Sequence, residues 1–113
     1  MAQLRLALAQ VDPTVGDLSG NADLVRRACA EAASAGAHLV ALPEMVLTGY
    51  PVEDLALRSS FVEASRAALT RLATDLVGDG LGDLPVVVGY LDRLTAAGDP
   101  GTEAPPARQP SGP

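Results

Sequence analysis

The most constraining feature of this sequence is an amphipathic helical stretch that lies between two short apolar runs. The first run, Leu4 to Val11, alternates in the manner of a strand and ends at an Asp-Pro pair. A helix capped by Asn21 is expected to run to about Ala35 and to stop at Gly36. His38 to Leu42 is nearly continuous in apolar residues, which is typical of a buried parallel strand. This order predicts a βαβ unit with a right-handed crossover.

A second helix and a third apolar run follow an irregular segment, residues 43–58. Ser60-Phe-Val-Glu63 has the pattern of a capping box and predicts a helix from Ser60 to about Val77. Pro85 to Tyr90 is predicted to be a third buried strand. Three strands that alternate with two helices predict an α/β architecture.

The last part of the sequence differs in composition from the rest. Residues 96–113 contain five Pro and three Gly, and they have no apolar side chain larger than Ala. Such a stretch buries too little surface to offset the entropy of ordering it. We therefore predict one folded unit over residues 1–95 and a disordered tail over residues 96–113.

The charge balance excludes several classes of partner. Eight basic and 14 acidic residues give a net charge of −6, whereas nucleic-acid and anionic-membrane surfaces attract clustered positive charge. A single Cys rules out an internal disulfide framework. No apolar run approaches the roughly 18 residues that a membrane span needs, and the first run is too short for a signal-peptide core. These features predict a cytoplasmic protein without nucleic-acid or membrane partners.

Glu44 is the first candidate for a catalytic residue. It comes two residues after the second apolar run and directly after Pro43. Functional groups in parallel α/β sheets collect where strands release into loops at their carboxyl ends. A carboxylate at the dry mouth of a sheet is suited to act as a general base, but position alone is also compatible with an ordinary solvated loop residue.

Several motifs around Glu44 resemble those of the nitrilase, or carbon–nitrogen hydrolase, superfamily. Leu42-Pro-Glu44 followed by Leu47-Thr-Gly-Tyr50 is similar to the first signature of that superfamily. The continuation from Tyr50 through Glu53-Asp-Leu55 to Arg58 is narrower. It resembles the amino-terminal glutaminase domain of bacterial glutamine-dependent NAD synthetases, and the resemblance covers residues 3 to about 93.

The resemblance implies a fold and a reaction. The superfamily folds as an α-β-β-α sandwich, of which this chain would form part, and it uses a Glu–Lys–Cys catalytic set. The Glu deprotonates the Cys, which attacks the glutamine amide, while the Lys stabilises the tetrahedral intermediate. The ammonia then supports ATP-dependent amidation of nicotinic acid adenine dinucleotide to NAD. Only Glu44, as general base, maps onto this set. Tyr50 is a candidate for the wall of the glutamine pocket, although a place in the core fits it equally well.

Two members of the catalytic set have no counterpart in this sequence. All eight basic residues are Arg, so a catalytic Lys is absent. Cys29 falls on the apolar stripe of the first helix, where a buried thiol is inert, so we expect it to be a core residue. The resemblance places the Lys, the Cys and the synthetase domain beyond Pro113. The chain is therefore expected to be an amino-terminal fragment that is inactive alone. No cofactor or metal is expected here, and ATP and Mg²⁺ belong to the synthetase domain.

Three interpretations remain open at this point. The chain is part of a glutamine-dependent NAD synthetase, part of a free-standing amidase or carbamoylase, or a non-catalytic interaction module. Under the first, glutamine is the expected substrate and the full-length protein is expected to be a homo-oligomer. The adjacent acids Glu53 and Asp54 are expected to cap the next turn or pair with Arg58 rather than to bind a metal.

Overall fold

A computed structural model describes residues 2–93 of the chain. Strands and helices alternate in it as β1 Leu6–Leu8, α1 Leu18–Ser34, β2 Leu39–Ala41, α2 Ser59–Gly78 and β3 Val86–Val87. A short 3₁₀ helix, Glu53–Leu57, precedes α2. The predicted α/β class is confirmed. The predicted tail, residues 96–113, lies outside the described residues.

The three strands form one parallel sheet in the order β1-β2-β3. Ala7 pairs with Val40, and Val40 pairs in turn with Val86, so these residues share one face of the sheet. The connection from β1 to β2 and the connection from β2 to β3 lead in the same direction across the sheet. A uniform crossover hand therefore places both helices on the same face.

The hydrophobic core lies between that face and the two helices. Val25 and Cys29 of α1, Val40 of β2 and Leu72 of α2 are at most 1% exposed and belong to one cluster. The spacing of the α1 residues follows the apolar stripe that the sequence predicts. Neither α1 nor α2 is long and apolar enough to cross a membrane, among the residues that the structure describes.

The opposite face of the sheet is open to solvent. Leu6, Leu8 and Val87 point to this side and are 50%, 73% and 55% exposed. Leu8 is in register with Ala41, which pairs with Val87, so Leu8 and Val87 flank the small side chain of Ala41 on this side of the sheet. We call the set Leu6, Leu8 and Val87 the bare face. Residues 2–93 thus form two layers, helices on a sheet, with one apolar side uncovered.

Several predicted boundaries are wrong in detail. The strands are shorter than the apolar runs that contain them. Helix α1 begins at Leu18, and its cap is Asp17, whose side chain accepts a hydrogen bond from the Gly20 amide at 3.1 Å. Asn21, the predicted cap, lies inside the first turns instead. The predicted capping box at Ser60 does not form, because α2 begins at Ser59 and its N-cap residue is Arg58.

An ion-pair network ties the two helices together on their outer side. Arg26 of α1 donates two hydrogen bonds to Asp79, from Nε at 2.8 Å and from Nη2 at 2.6 Å. Asp75 and Asp23 lie 3.7 and 3.9 Å from the same guanidinium. The hydrogen bonds from Arg26 lower the pKa of Asp79 below its ordinary value of 3.8. Bidentate pairing of this kind favours the ionised carboxylate.

We predict that this network makes the fold sensitive to acid. Because the folded pKa of Asp79 is depressed, its stabilising contribution is present above about pH 4 and is lost as the pH falls through the folded pKa. Urea midpoints measured from pH 6 to pH 2.5 should fall on acidification, and they should fall less steeply in Asp79→Asn. Asp83→Asn, at an exposed loop aspartate, is the control. An identical pH profile in Asp79→Asn and the parent would contradict the prediction.

Candidate functional site

The carboxyl end of β2 leads into a tight turn that carries Glu44. Residues 43–49, here called the Glu44 turn, are closed by hydrogen bonds from the Val46 amide to the Pro43 carbonyl at 3.2 Å and from the Gly49 amide to the Met45 carbonyl at 2.8 Å. Met45 has φ 55°, an uncommon conformation for a residue with a side chain. The chain therefore changes direction directly after Glu44.

The second half of the turn is buried and anchored. Val46, Leu47 and Thr48 are fully buried. The Thr48 hydroxyl donates to the Gly49 carbonyl at 3.1 Å. Burial of these three side chains fixes the direction of the turn, and it leaves Glu44 on the outer side.

Main-chain bonds attach the Glu44 turn to two neighbouring elements. The Leu47 amide donates to the Gly89 carbonyl at 3.1 Å, just after β3. The Gly16 amide, in the loop between β1 and α1, donates to the Thr48 carbonyl at 2.8 Å. The turn is therefore held from both sides of the strand that releases it.

Two glycines permit this close approach. A Cβ on Gly49 would lie 2.6 Å from the Cα of Val15, and Gly49 has φ 82°. A Cβ on Gly89 would collide with the backbone nitrogen of Met45. Neither obstacle is a flexible side-chain end, so the backbone itself would have to move.

We predict that Gly49→Ala destabilises the fold strongly. The left-handed φ alone costs about 1–2 kcal/mol for Ala, and the collision with the backbone of Val15 should bring the loss above about 2 kcal/mol. Gly80→Ala is a matched control, because Gly80 has φ 84° but open space around its Cα. The difference between their urea midpoints measures the steric part. Equal losses in the two variants would show that the close approach contributes nothing.

The structure places the predicted site residues at the surface. Glu44 is exposed, which differs from the dry mouth expected for it. Among residues 2–93 no side chain hydrogen-bonds to its carboxylate. Tyr50 follows the turn and is 72% exposed, so the alternative that it belongs to the core is wrong. Both residues are carried by one loop at the carboxyl end of β2.

Cys29 is not part of this site. It lies in the core on α1 and is fully buried, as predicted. Burial raises the pKa of its thiol above the ordinary value of 9.0. A thiol in this position is held protonated and away from solvent, which is the opposite of what a nucleophile needs.

The paired acids after Tyr50 also have a structural place. Glu53 and Asp54 form the first turn of the 3₁₀ helix, where negative charge is favoured at a helix start. Within residues 2–93 neither acid pairs with Arg58, contrary to one expectation. The same part of the chain contains no group of three or more His, Cys, Asp or Glu residues that could hold a metal ion.

Residues 5–90 match the family model described as carbon-nitrogen hydrolase. The chain belongs to the carbon-nitrogen hydrolase family. This carbon-nitrogen hydrolase chain is 47% identical over 81 residues to the glutamine-dependent NAD(+) synthetase of Rhodobacter capsulatus. The match covers 71% of this chain and 15% of the relative. It thus spans about a seventh of that relative's length.

Solved structures agree with the family assignment. A glutamine-dependent NAD(+) synthetase from Cytophaga hutchinsonii superposes with a TM-score of 0.73 and 28% identity, over 82% of this chain and 15% of that protein. An amidase from Nesterenkonia sp. gives a TM-score of 0.53 and 32% identity, over 64% of this chain and 28% of the amidase. The two-layer arrangement of this carbon-nitrogen hydrolase chain is therefore part of the nitrilase-type fold.

Sequence reasoning missed the residues that hold the site of this carbon-nitrogen hydrolase chain. Asn21 was expected to be a helix cap, yet it is 1% exposed and bonds to two loops. Gly89 lies within the run Pro85 to Tyr90, for which the sequence predicts only a strand. A glycine inside an apolar strand pattern does signal close backbone approach, but the partner of that approach is visible only in the fold.

Proposed function

We propose that this chain forms part of the glutaminase domain of a glutamine-dependent NAD synthetase, in which Glu44 is the general base. The observation that carries the proposal is the position of Glu44. It stands exposed on an anchored turn at the carboxyl end of β2, in a chain 47% identical to a synthetase of that name. A general base must be reachable by the group whose proton it takes, and an exposed carboxylate on a fixed turn meets that requirement.

The proposed chemistry divides between this chain and the remainder of the domain. Glu44 takes the proton of a cysteine thiol supplied by the remainder, and the thiolate attacks the side-chain amide carbon of glutamine. The amide nitrogen leaves as ammonia after it gains that proton, and a thioester remains. Glu44 then takes a proton from water, and the resulting hydroxide attacks the thioester carbon. The carbon–sulfur bond breaks, glutamate leaves, and the proton returns from Glu44 to the cysteine sulfur. Tyr50 is proposed to line the glutamine pocket beside this base.

A related structure supports a cysteine nucleophile in this family. A mutant of the Nesterenkonia amidase carries the acetamide moiety of fluoroacetamide, covalently added at its active-site cysteine. That protein also represents the second candidate function, which is that of an amidase. The higher TM-score of the synthetase, 0.73 against 0.53, favours the first candidate.

The wider setting of the synthetase is proposed on the same basis. ATP and Mg²⁺ are proposed to bind to the synthetase domain, as the likeness to glutamine-dependent NAD(+) synthetases implies. Glutamine is the proposed substrate. We place the assembled protein in the cytoplasm as a homo-oligomer.

The proposal is tested by a chimera. In the Rhodobacter capsulatus synthetase, the segment that matches this chain is replaced by this chain's matching residues. NAD formation is then measured with glutamine and, separately, with ammonium chloride as nitrogen source. We expect both activities within about tenfold of the parent synthetase, since the segments share 47% of their residues. Ammonia-dependent synthesis without any glutamine-dependent synthesis would overturn the proposal.

A further inference from the structure

Asn21 is the most fully bonded buried polar side chain near the site. It lies on the first turns of α1 and is 1% exposed. Its Nδ2 donates to the Thr14 carbonyl at 2.8 Å and to the Leu47 carbonyl at 3.0 Å, and its Oδ1 accepts from the Thr14 amide at 2.8 Å. Both amide hydrogens and the carbonyl oxygen are used, which leaves little freedom for rotation of the side chain.

All partners of Asn21 are main-chain atoms on two different loops. Thr14 lies in the loop between β1 and α1, and Leu47 lies in the Glu44 turn. No side chain among residues 2–93 hydrogen-bonds to the Glu44 carboxylate, so its position is set by the backbone of its own turn. Within residues 2–93, the side-chain hydrogen bond from α1 to this turn is made by Asn21. The Gly89 carbonyl, which accepts from the Leu47 amide at 3.1 Å, holds the same residue from the sheet side.

We propose that Asn21 is a positioning residue for Glu44, acting through the Leu47 carbonyl to hold the Glu44 turn against α1. This inference rests on the proposed function only for its kinetic part. One buried N–H of Asn21 holds the Leu47 carbonyl while the other is bonded to the Thr14 carbonyl. A carbonyl held in this way restrains the neighbouring residues of the same turn. A base displaced by about 1 Å can lose on the order of a hundredfold in rate.

The structural part is tested in the 113-residue chain by hydrogen exchange. Asn21→Asp keeps the shape of the side chain. It replaces the NH₂ group, which donates both hydrogen bonds, with an oxygen that faces the Thr14 and Leu47 carbonyls. The amides of Gly16, Leu47 and Gly49 should exchange about tenfold faster or more relative to amides of α2. Asn21→Ser, which buries no charge and is too short to reach Leu47, should act in the same direction.

Ser65→Ala is the matched control, because Ser65 is also fully buried and its Oγ accepts from the Leu91 amide at 3.0 Å. It removes a buried polar contact that does not involve the Glu44 turn. Unchanged protection of Gly16, Leu47 and Gly49 in both Asn21 variants would overturn the inference. A uniform acceleration over the whole chain, equal to that in Ser65→Ala, would do so as well, since it would show only a global loss of stability.

The kinetic part is tested in the chimera. Asn21→Asp should lower kcat for glutamine-dependent synthesis by about 10–100-fold, with KM for glutamine within about threefold and with ammonia-dependent synthesis retained. Ser65→Ala should leave both activities within about twofold. A normal kcat in Asn21→Asp, together with an inactive Glu44→Gln, would overturn the positioning role and leave the proposed function standing. Full glutamine-dependent activity in Glu44→Gln would overturn the proposed function instead, whatever the exchange data show.

Discussion

Glu44→Gln in the chimera is expected to abolish glutamine-dependent NAD synthesis while ammonia-dependent synthesis continues. The side chain introduced by the substitution has the same shape as that of Glu44, but its amide cannot act as a base. A positioned general base contributes about 10²–10⁴-fold in rate. Glu44 is exposed and the turn that carries it is held by main-chain bonds. The substitution should therefore leave the backbone in place. The measurement is NAD formation with each nitrogen source, together with release of glutamate.

The control for this experiment is Glu53→Gln. Glu53 is an exposed acid in the 3₁₀ helix that follows the site, so its replacement removes the same charge from the same region. Glutamine-dependent synthesis should stay within about threefold of the parent. An equal fall of glutamine- and ammonia-dependent rates in Glu44→Gln would assign Glu44 a structural role rather than a catalytic one.

The second large effect concerns the 113-residue chain by itself. We expect it to release no ammonia from glutamine above background. Its sequence contains no Lys, and its single thiol is buried in the core with a raised pKa. Neither the cysteine nucleophile of the proposed mechanism nor the Lys that the family resemblance implies is therefore available from this chain. Ammonia release by the purified chain at a rate above buffer would contradict this expectation.

The state of Cys29 gives an independent check on the second prediction. Reaction with iodoacetamide should be slow in the folded chain and fast in concentrated urea, because alkylation requires an accessible thiolate. Rapid labelling of the folded chain would show that Cys29 is reachable, and it would reopen the question of its reactivity. Cys29→Ser in the chimera should leave glutamine-dependent synthesis intact.

The order of elements could be predicted from the sequence because burial leaves a clear pattern. Val25, Cys29 and Ala32 lie on one side of α1, and a continuous apolar run contains Val40 of β2. Boundaries were less predictable, since several residues compete to end an element. Asp17 and Asn21 are both good helix caps, and only the path of the preceding loop decides between them.

The site could be located from the sequence but its environment could not. The motif around Glu44 places this residue after β2, as found. Its exposure could not be foreseen, because it depends on the buried residues Val46 to Thr48 turning inward and so leaving Glu44 outside. The role of Asn21 depends on contacts with residues 7 and 26 positions away. No local pattern reports partners at that separation.

The bare face has a practical consequence for anyone who handles the isolated chain. Leu6, Leu8 and Val87 are exposed on the same side of an ordered sheet, with Ala41 between Leu8 and Val87. Fluorescent dyes such as anilinonaphthalene sulfonate bind to accessible apolar surface, and their fluorescence is commonly taken as a sign of lost tertiary packing. The folded chain offers them such a surface without any loss of packing. A bright signal here marks an uncovered layer, so near-ultraviolet circular dichroism or exchange protection is the better measure of order.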